Sequence, residues 1–113
     1  MRVAFDCDGL IIEVDNTLRK EICELLVAFL LSGAEVIVWS GGGKDYAEST
    51  WRRVVREYRL SELDFTSKLV NKVTCKSKDS SMPDIAIDDQ LVKLGHFNVC
   101  WPSPWFAERY EED

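Results

Sequence analysis

The chain has 113 residues, 46% of them apolar and 30% charged, with a formal net charge of −6. That length holds one domain around one core, the acidic total argues against a general nucleic-acid binder, and the longest apolar run, Leu25–Leu31, falls far short of a membrane span. Four scattered cysteines (Cys7, Cys23, Cys75 and Cys100) form no CxxC pair and the single histidine, His96, has no partner spacing, which argues against a zinc site.

Cysteine in predicted strands and helices behaves as a small core residue, and a reducing cytoplasm is its simplest setting. The start of the chain carries no signal-peptide pattern, because Asp6 and Asp8 interrupt its apolar run.

In chain order, Arg2 to Phe5 reads as a buried strand that ends on Asp6-Cys7-Asp8-Gly9. Alternation along a strand sends Asp6 and Asp8 to the same side. Two like charges so close call for a cation or a shared proton between them; a surface turn is the bland alternative. Thr17 to Ser32 reads as a helix, with Leu18, Ile22, Leu25, Leu26 and Phe29 recurring at three- and four-residue steps. Asp15 or Asn16 suits its N-cap and Gly33 its C-terminal stop.

Glu35 to Trp39 reads as a second strand, followed by Ser40 and three glycines. A second helix runs from Asp45 to Arg59, with Ala47, Trp51, Val54, Val55 and Tyr58 on one face. Leu63 to Ser81 is weakly patterned, with a short strand at Val73–Cys75. Asp84–Ile87 reads as a strand, Gln90–Leu94 as a short helix and Phe97–Cys100 as a last strand. His96, after Gly95, reads as an exposed turn residue. The tail from Trp101 to Asp113 is rich in aromatics and is expected to fold back over the sheet. Trp101, Trp105, Phe106 and Tyr110 there suit packing, a dimer contact or nucleobase stacking.

Alternation of strands and helices implies an α/β fold with a parallel sheet covered on both faces. Ligands of such sheets bind beyond the carboxyl ends of the strands. Asp6 and Asp8 follow the first strand, Ser40 the second, and Asp88 and Asp89 the Asp84–Ile87 strand, so all five are expected at one crevice. Taken singly each has a plain explanation: Ser40 with Gly41–Gly43 as a turn, Asp88-Asp89 as a helix cap. The GGGK run lacks the Walker pattern. Setting aside Asp6, Asp8, Asp88 and Asp89 leaves 16 acids against 14 bases, so the body of the protein is nearly neutral. The acidic total therefore does not exclude a phosphorylated substrate or a nucleic-acid end.

The stretches VAFDCDGLI (residues 3–11), VIVWSGGG (36–43) and DIAIDDQ (84–90), with a lysine between the last two, resemble the haloacid dehalogenase superfamily. The last stretch is similar to the phosphatase domain of phage-type polynucleotide kinase-phosphatases and to small cap-less relatives. The resemblance implies a single Rossmann-like domain over residues 1–113, a three-layer sandwich with a parallel central sheet and no cap domain. It implies a Mg2+-dependent phosphomonoester hydrolase. Asp6 would be the nucleophile that forms an aspartyl-phosphate, and Asp8 the acid and base that protonates the leaving oxygen and activates water.

In the same reading Ser40 and the backbone N–H groups of Gly41 and Gly42 bind the phosphoryl group. Mg2+ is held by Asp6, the Asp8 backbone carbonyl, Asp88 and Asp89, the last directly or through water. An active-site lysine is expected among Lys68, Lys72, Lys76 and Lys78, with Lys78 favoured and Lys76 second. Leu10 departs from the usual Thr or Val and suits packing; Gly42 stands where many relatives carry an Arg or a similar substrate-contacting residue. The partners implied are a phosphorylated small molecule or a nucleic-acid end, with homo-oligomerisation left open and no membrane. Two alternatives stand beside the general phosphatase. One is a nucleotide or polynucleotide-end phosphatase; the other is a non-catalytic phosphate-sensing or partner-binding module on the same fold.

Overall fold

Long apolar runs without alternation are what strands buried on both faces require. Val3-Ala4-Phe5 and Val36-Ile37-Val38-Trp39 are such runs, and every one of these residues is buried. The computed structural model describes residues 1–60, 72–75 and 82–103, the segment 72–75 by its backbone. In it these runs become β1 (Arg2–Asp6) and β2 (Glu35–Ser40), joined by β3 (Lys72–Cys75), β4 (Ile85–Asp88) and β5 (Phe97–Cys100). The sheet order is β3-β2-β1-β4-β5, and every neighbouring pair is parallel. Helix α1 (Lys20–Leu31) connects β1 to β2, and α2 (Lys44–Glu57) follows β2. This is an α/β fold compatible with a Rossmann-like arrangement.

The chain grows outward from β1 through β2 to β3, then returns to the other side of β1 for β4 and β5. The order therefore reverses between β1 and β4, which opens a crevice at their carboxyl ends. Register brings the polar ends level there. Phe5 pairs with Ile87, so Asp6 and Asp88 leave adjacent strands at the same height. Asp6 pairs with Trp39, the residue before Ser40.

Both helices pack on one face of the sheet. Ile22, Cys23, Leu26 and Leu30 of α1 and Ala47 and Val54 of α2 share a core with Val3, Phe5, Val36, Val38 and Ile87. Each of the Val, Leu, Ile and Phe side chains among them contributes about 1.5–3 kcal/mol by burial. Trp51, Val55 and Tyr58 pack against this core, as the periodicity of α2 implies. The opposite face carries a smaller buried cluster of Ala4, Ile37, Trp39 and Ala86, with Leu94 against it.

Three local expectations are corrected. The helix expected at Thr17–Ser32 starts only at Lys20, with Arg19 at its N-cap and no side-chain cap. Asp15 instead accepts hydrogen bonds from the Thr17 backbone N–H (3.1 Å) and hydroxyl (2.6 Å), a local turn that competes with helix. The helix expected at Gln90–Leu94 does not form. Five residues are too few to offset helix nucleation, and Asn98 clasps the segment's end by accepting from the N–H groups of Leu94 (2.7 Å) and Gly95 (2.9 Å). Among the described residues, then, no helix covers the second face of the sheet. Gly33 does end α1, in a left-handed conformation with its N–H on the Leu30 carbonyl. Cys100, expected as a core residue, is an exposed free thiol, whereas Cys7 and Cys23 are buried. His96 is exposed in a bend, as expected. No described helix is long and apolar enough to cross a membrane.

Candidate active site

Strand β1 ends at Asp6, and the connection to α1 is a compact flap over residues 7–19. Leu10, Ile11 and Ile12 anchor it by burying their side chains in the main core, and short bridges of Ile12 with Asp8 and with Leu18 fold it back on itself. Leu10 is thus a packing residue, fully buried. At the flap's tip Asn16 offers its backbone carbonyl to Arg53 of α2 (2.8 Å).

A second anchor lies at the base of the flap. Arg19 is almost fully buried and pairs with Glu13 at 3.0 Å. Its guanidinium also donates to the carbonyls of Gly9 (2.8 Å) and Trp101 (3.3 Å). Glu13 in turn accepts from the Ser103 hydroxyl at 2.7 Å. A buried arginine is stable only with such partners, and here they tie the flap to α1 and to the chain beyond β5.

The two carboxylates of the opening motif take different surroundings. Because the strand stops at Asp6, alternation does not carry through to Asp8. Asp6 is buried and Asp8 exposed, although both line the same cleft. The Asp6, Asp88 and Asp89 carboxylates each offer an oxygen, and these atoms lie within 4.8 Å of one another. Asp8 stands apart from that group; its Oδ1 accepts a hydrogen bond from the Tyr46 hydroxyl on the first turn of α2.

Three acids so close repel, and the group shows it. Burial, then hydrogen bonds with Asp88 and Asp6 and their negative charges, push the Asp89 carboxyl up to about 7. Asp88 Oδ1 also accepts from the Gln90 N–H at 3.0 Å. Charge crowding of this kind is relieved by a bound proton or a cation, and an all-carboxylate oxygen set suits a hard divalent ion. The residues present therefore fit a metal site, with Asp6, Asp88 and Asp89 as its side-chain ligands.

Ser40 ends β2, buried, with its Oγ accepting from the Gly42 N–H at 2.9 Å. That amide, expected to meet a phosphoryl oxygen, is turned to the serine instead. Asp6, Asp8, Ser40, Gly41, Gly42, Asp88 and Asp89 all line one cleft of about 550 Å3. Lys68, Lys76 and Lys78 lie outside the described residues, and of Lys72 only the backbone is described, in β3. Trp105, Phe106 and Tyr110 also lie outside them. Among the described lining residues there are five acids, counting Glu13, and no base.

Sequence reasoning missed Tyr46 and Arg19. Tyr46 sits three residues after the glycine run, where a helix start at a strand end meets the ligand crevice. Arg19 is one of three charged residues between Leu18 and Ile22, and of these it alone is buried. No protein-family model, curated protein or solved structure matches this chain.

Proposed function

We propose that this chain is a Mg2+-dependent phosphomonoester hydrolase of the haloacid dehalogenase type, acting through an aspartyl-phosphate on Asp6. The observation that carries the reading is convergence. Asp6, Asp8, Ser40, Asp88 and Asp89, distant in sequence, line one cleft at the point where the sheet order reverses.

An Asp6 carboxylate oxygen attacks phosphorus, and the bond from phosphorus to the ester oxygen breaks. Asp8, separate from the three-carboxylate group, gives its proton to that leaving oxygen. It then takes a proton from water, whose oxygen attacks the phosphorus and restores the Asp6 carboxylate with release of inorganic phosphate. Ser40 Oγ is placed at the cleft wall to hydrogen-bond a phosphoryl oxygen. Asp6, Asp88, Asp89 and the Asp8 main-chain carbonyl would hold a Mg2+ ion, which would supply the positive charge that an anionic phosphate needs to approach three acids. Lys78, or Lys76, is proposed to add the base that the described lining lacks.

The flap at residues 7–19 is too short to hold a cap domain at that insertion point, which supports a cap-less enzyme with an open cleft. An open cleft admits large substrates, nucleic-acid ends included, and excludes water poorly. The test is phosphate release from a panel of aryl, alkyl and sugar phosphates, nucleotides and 3′- and 5′-phosphorylated oligonucleotides. Turnover is expected with Mg2+, not with EDTA, and not in Asp6→Asn. Silence across the panel with intact Mg2+ binding would favour the non-catalytic phosphate-sensing module.

A further inference from the structure

Asp8 occupies an awkward position for a group that must aim a proton. It lies past the end of β1, is exposed, and is followed by Gly9 in a left-handed conformation. The three-carboxylate group that contains Asp6 does not include it. A loop carboxylate in water samples several rotamers, and holding it in one costs entropy. Proton transfer requires the opposite: the donor oxygen must stay within hydrogen-bond reach of the reacting atom.

We propose that Tyr46 is the positioning residue for Asp8, its hydroxyl holding Oδ1 so that the other carboxylate oxygen faces the leaving group. This rests on the hydrolase reading above. Tyr46 is carried by the first turn of α2, a rigid element, and lines the same cleft as Asp8 and Ser40. Its hydrogen bond to Asp8 joins parts of the chain 38 residues apart. The buried face of α2 is built by Ala47, Thr50 and Val54, so Tyr46 is not needed to pack that helix. Burial first, then the bond to Asp8 and its charge, push the phenol up to about 12, so it remains a donor at neutral pH. A side chain that only donates to Oδ1 leaves the second oxygen free to carry and release the proton.

A positioning role for a general acid has a signature that packing lacks. Proton donation matters most when the leaving group is a poor one, such as an alkoxide, and least for an activated phenolate. The value of kcat/KM reports the step that breaks the ester bond, so two esters separate the cases. The experiment measures kcat/KM at saturating Mg2+ for an alkyl phosphate and for a nitrophenyl phosphate, in wild type, Tyr46→Phe, Asp8→Asn and the double variant.

Loss of one charge-assisted hydrogen bond predicts an alkyl-ester value lower by about ten- to a hundredfold in Tyr46→Phe. The nitrophenyl-ester value falls several-fold less, and Tyr46→Phe adds no further loss in the Asp8→Asn background. Thermal unfolding gives a second readout: the Tm shifts of the two single variants sum to more than that of the double. Equal losses for both esters, or additive effects in the cycle, would overturn the assignment while leaving the hydrolase reading standing. The two esters are an alkyl and an aryl phosphate that the panel above shows to be turned over, and absence of wild-type turnover across that panel would overturn both.

Discussion

Gly9 and Asp89 meet so closely that a side-chain carbon at position 9 would fall 2.1 Å from Asp89 Oδ2. Gly9 also has φ +77°, a conformation that costs other residues about 1–2 kcal/mol. The glycine after the Asp-Cys-Asp element therefore does two things at once: it turns the chain into the flap and it leaves room for the third carboxylate. Gly9→Ala is expected to destabilise the fold by at least about 1–2 kcal/mol in denaturant unfolding. It should also weaken Mg2+ binding by displacing Asp89, as read by titration calorimetry. A variant of wild-type stability and affinity would show that the contact is not maintained in solution.

Arg19 supports the same turn from below by holding the Gly9 carbonyl and the Glu13 carboxylate. Glu13 is itself largely buried, with 12% of its side chain exposed. Removing one partner of such a pair leaves a charge without compensation, typically a loss of about 3–5 kcal/mol. Arg19→Ala should lose about that much by equilibrium unfolding, whereas a surface pair such as Arg52 with Glu48 should lose under about 1 kcal/mol. Arg19→Lys should recover only part, since an ammonium cannot reproduce the planar fork that reaches three carbonyls and two carboxylates.

The carboxylate group links stability to pH. Asp89 rises from an ordinary 3.8 to about 7 in the fold. A raised value means that the folded state holds the proton more tightly, so this group stabilises the metal-free protein fully below 3.8. That contribution is lost as pH rises through about 7. A cation competes for the same oxygens, so Mg2+ should bind with proton release and gain affinity as pH rises to about 7. Melting curves from pH 5 to 8, with and without Mg2+, check this. The rise in Tm on adding Mg2+ should be largest at the alkaline end.

Thiol accessibility offers an independent check on the fold. Burial pushes the Cys23 thiol up to about 11, whereas Cys100 is exposed. Since the thiolate is the reactive form, an alkylating reagent near pH 8 should modify Cys100 in the native protein. Cys7 and Cys23 should react only on unfolding. Peptide mapping by mass spectrometry distinguishes the sites.

The strands and their polar ends were legible in the sequence because two strong local signals coincide there. Unbroken apolar runs such as Val36–Trp39 mark buried parallel strands, and the charged or hydroxyl residue that stops each run marks its carboxyl end. The start of α1 was not legible, because Leu18 keeps helical spacing while its backbone pairs with Ile12 in the flap. The absent helix at Gln90–Leu94 had the same cause: a short apolar spacing fits either state, and Asn98, several residues away, decides it. The partners of Asp8 were illegible for a different reason. Period-two alternation applies only within a strand, and β1 ends at Asp6, so the link to Tyr46 depends on how α2 docks.

The proposed reaction passes its phosphoryl group through Asp6. Its most direct test is to quench the protein in acid during Mg2+-dependent turnover of a phosphomonoester, reduce with borohydride and map the peptides. An aspartyl-phosphate at residue 6 is reduced to homoserine, and the account predicts that product at position 6 alone, absent from Asp6→Asn and from samples in EDTA. Sustained phosphate release with Asp6 unmodified, or reduction at another acid such as Asp8 or Asp88, would contradict it.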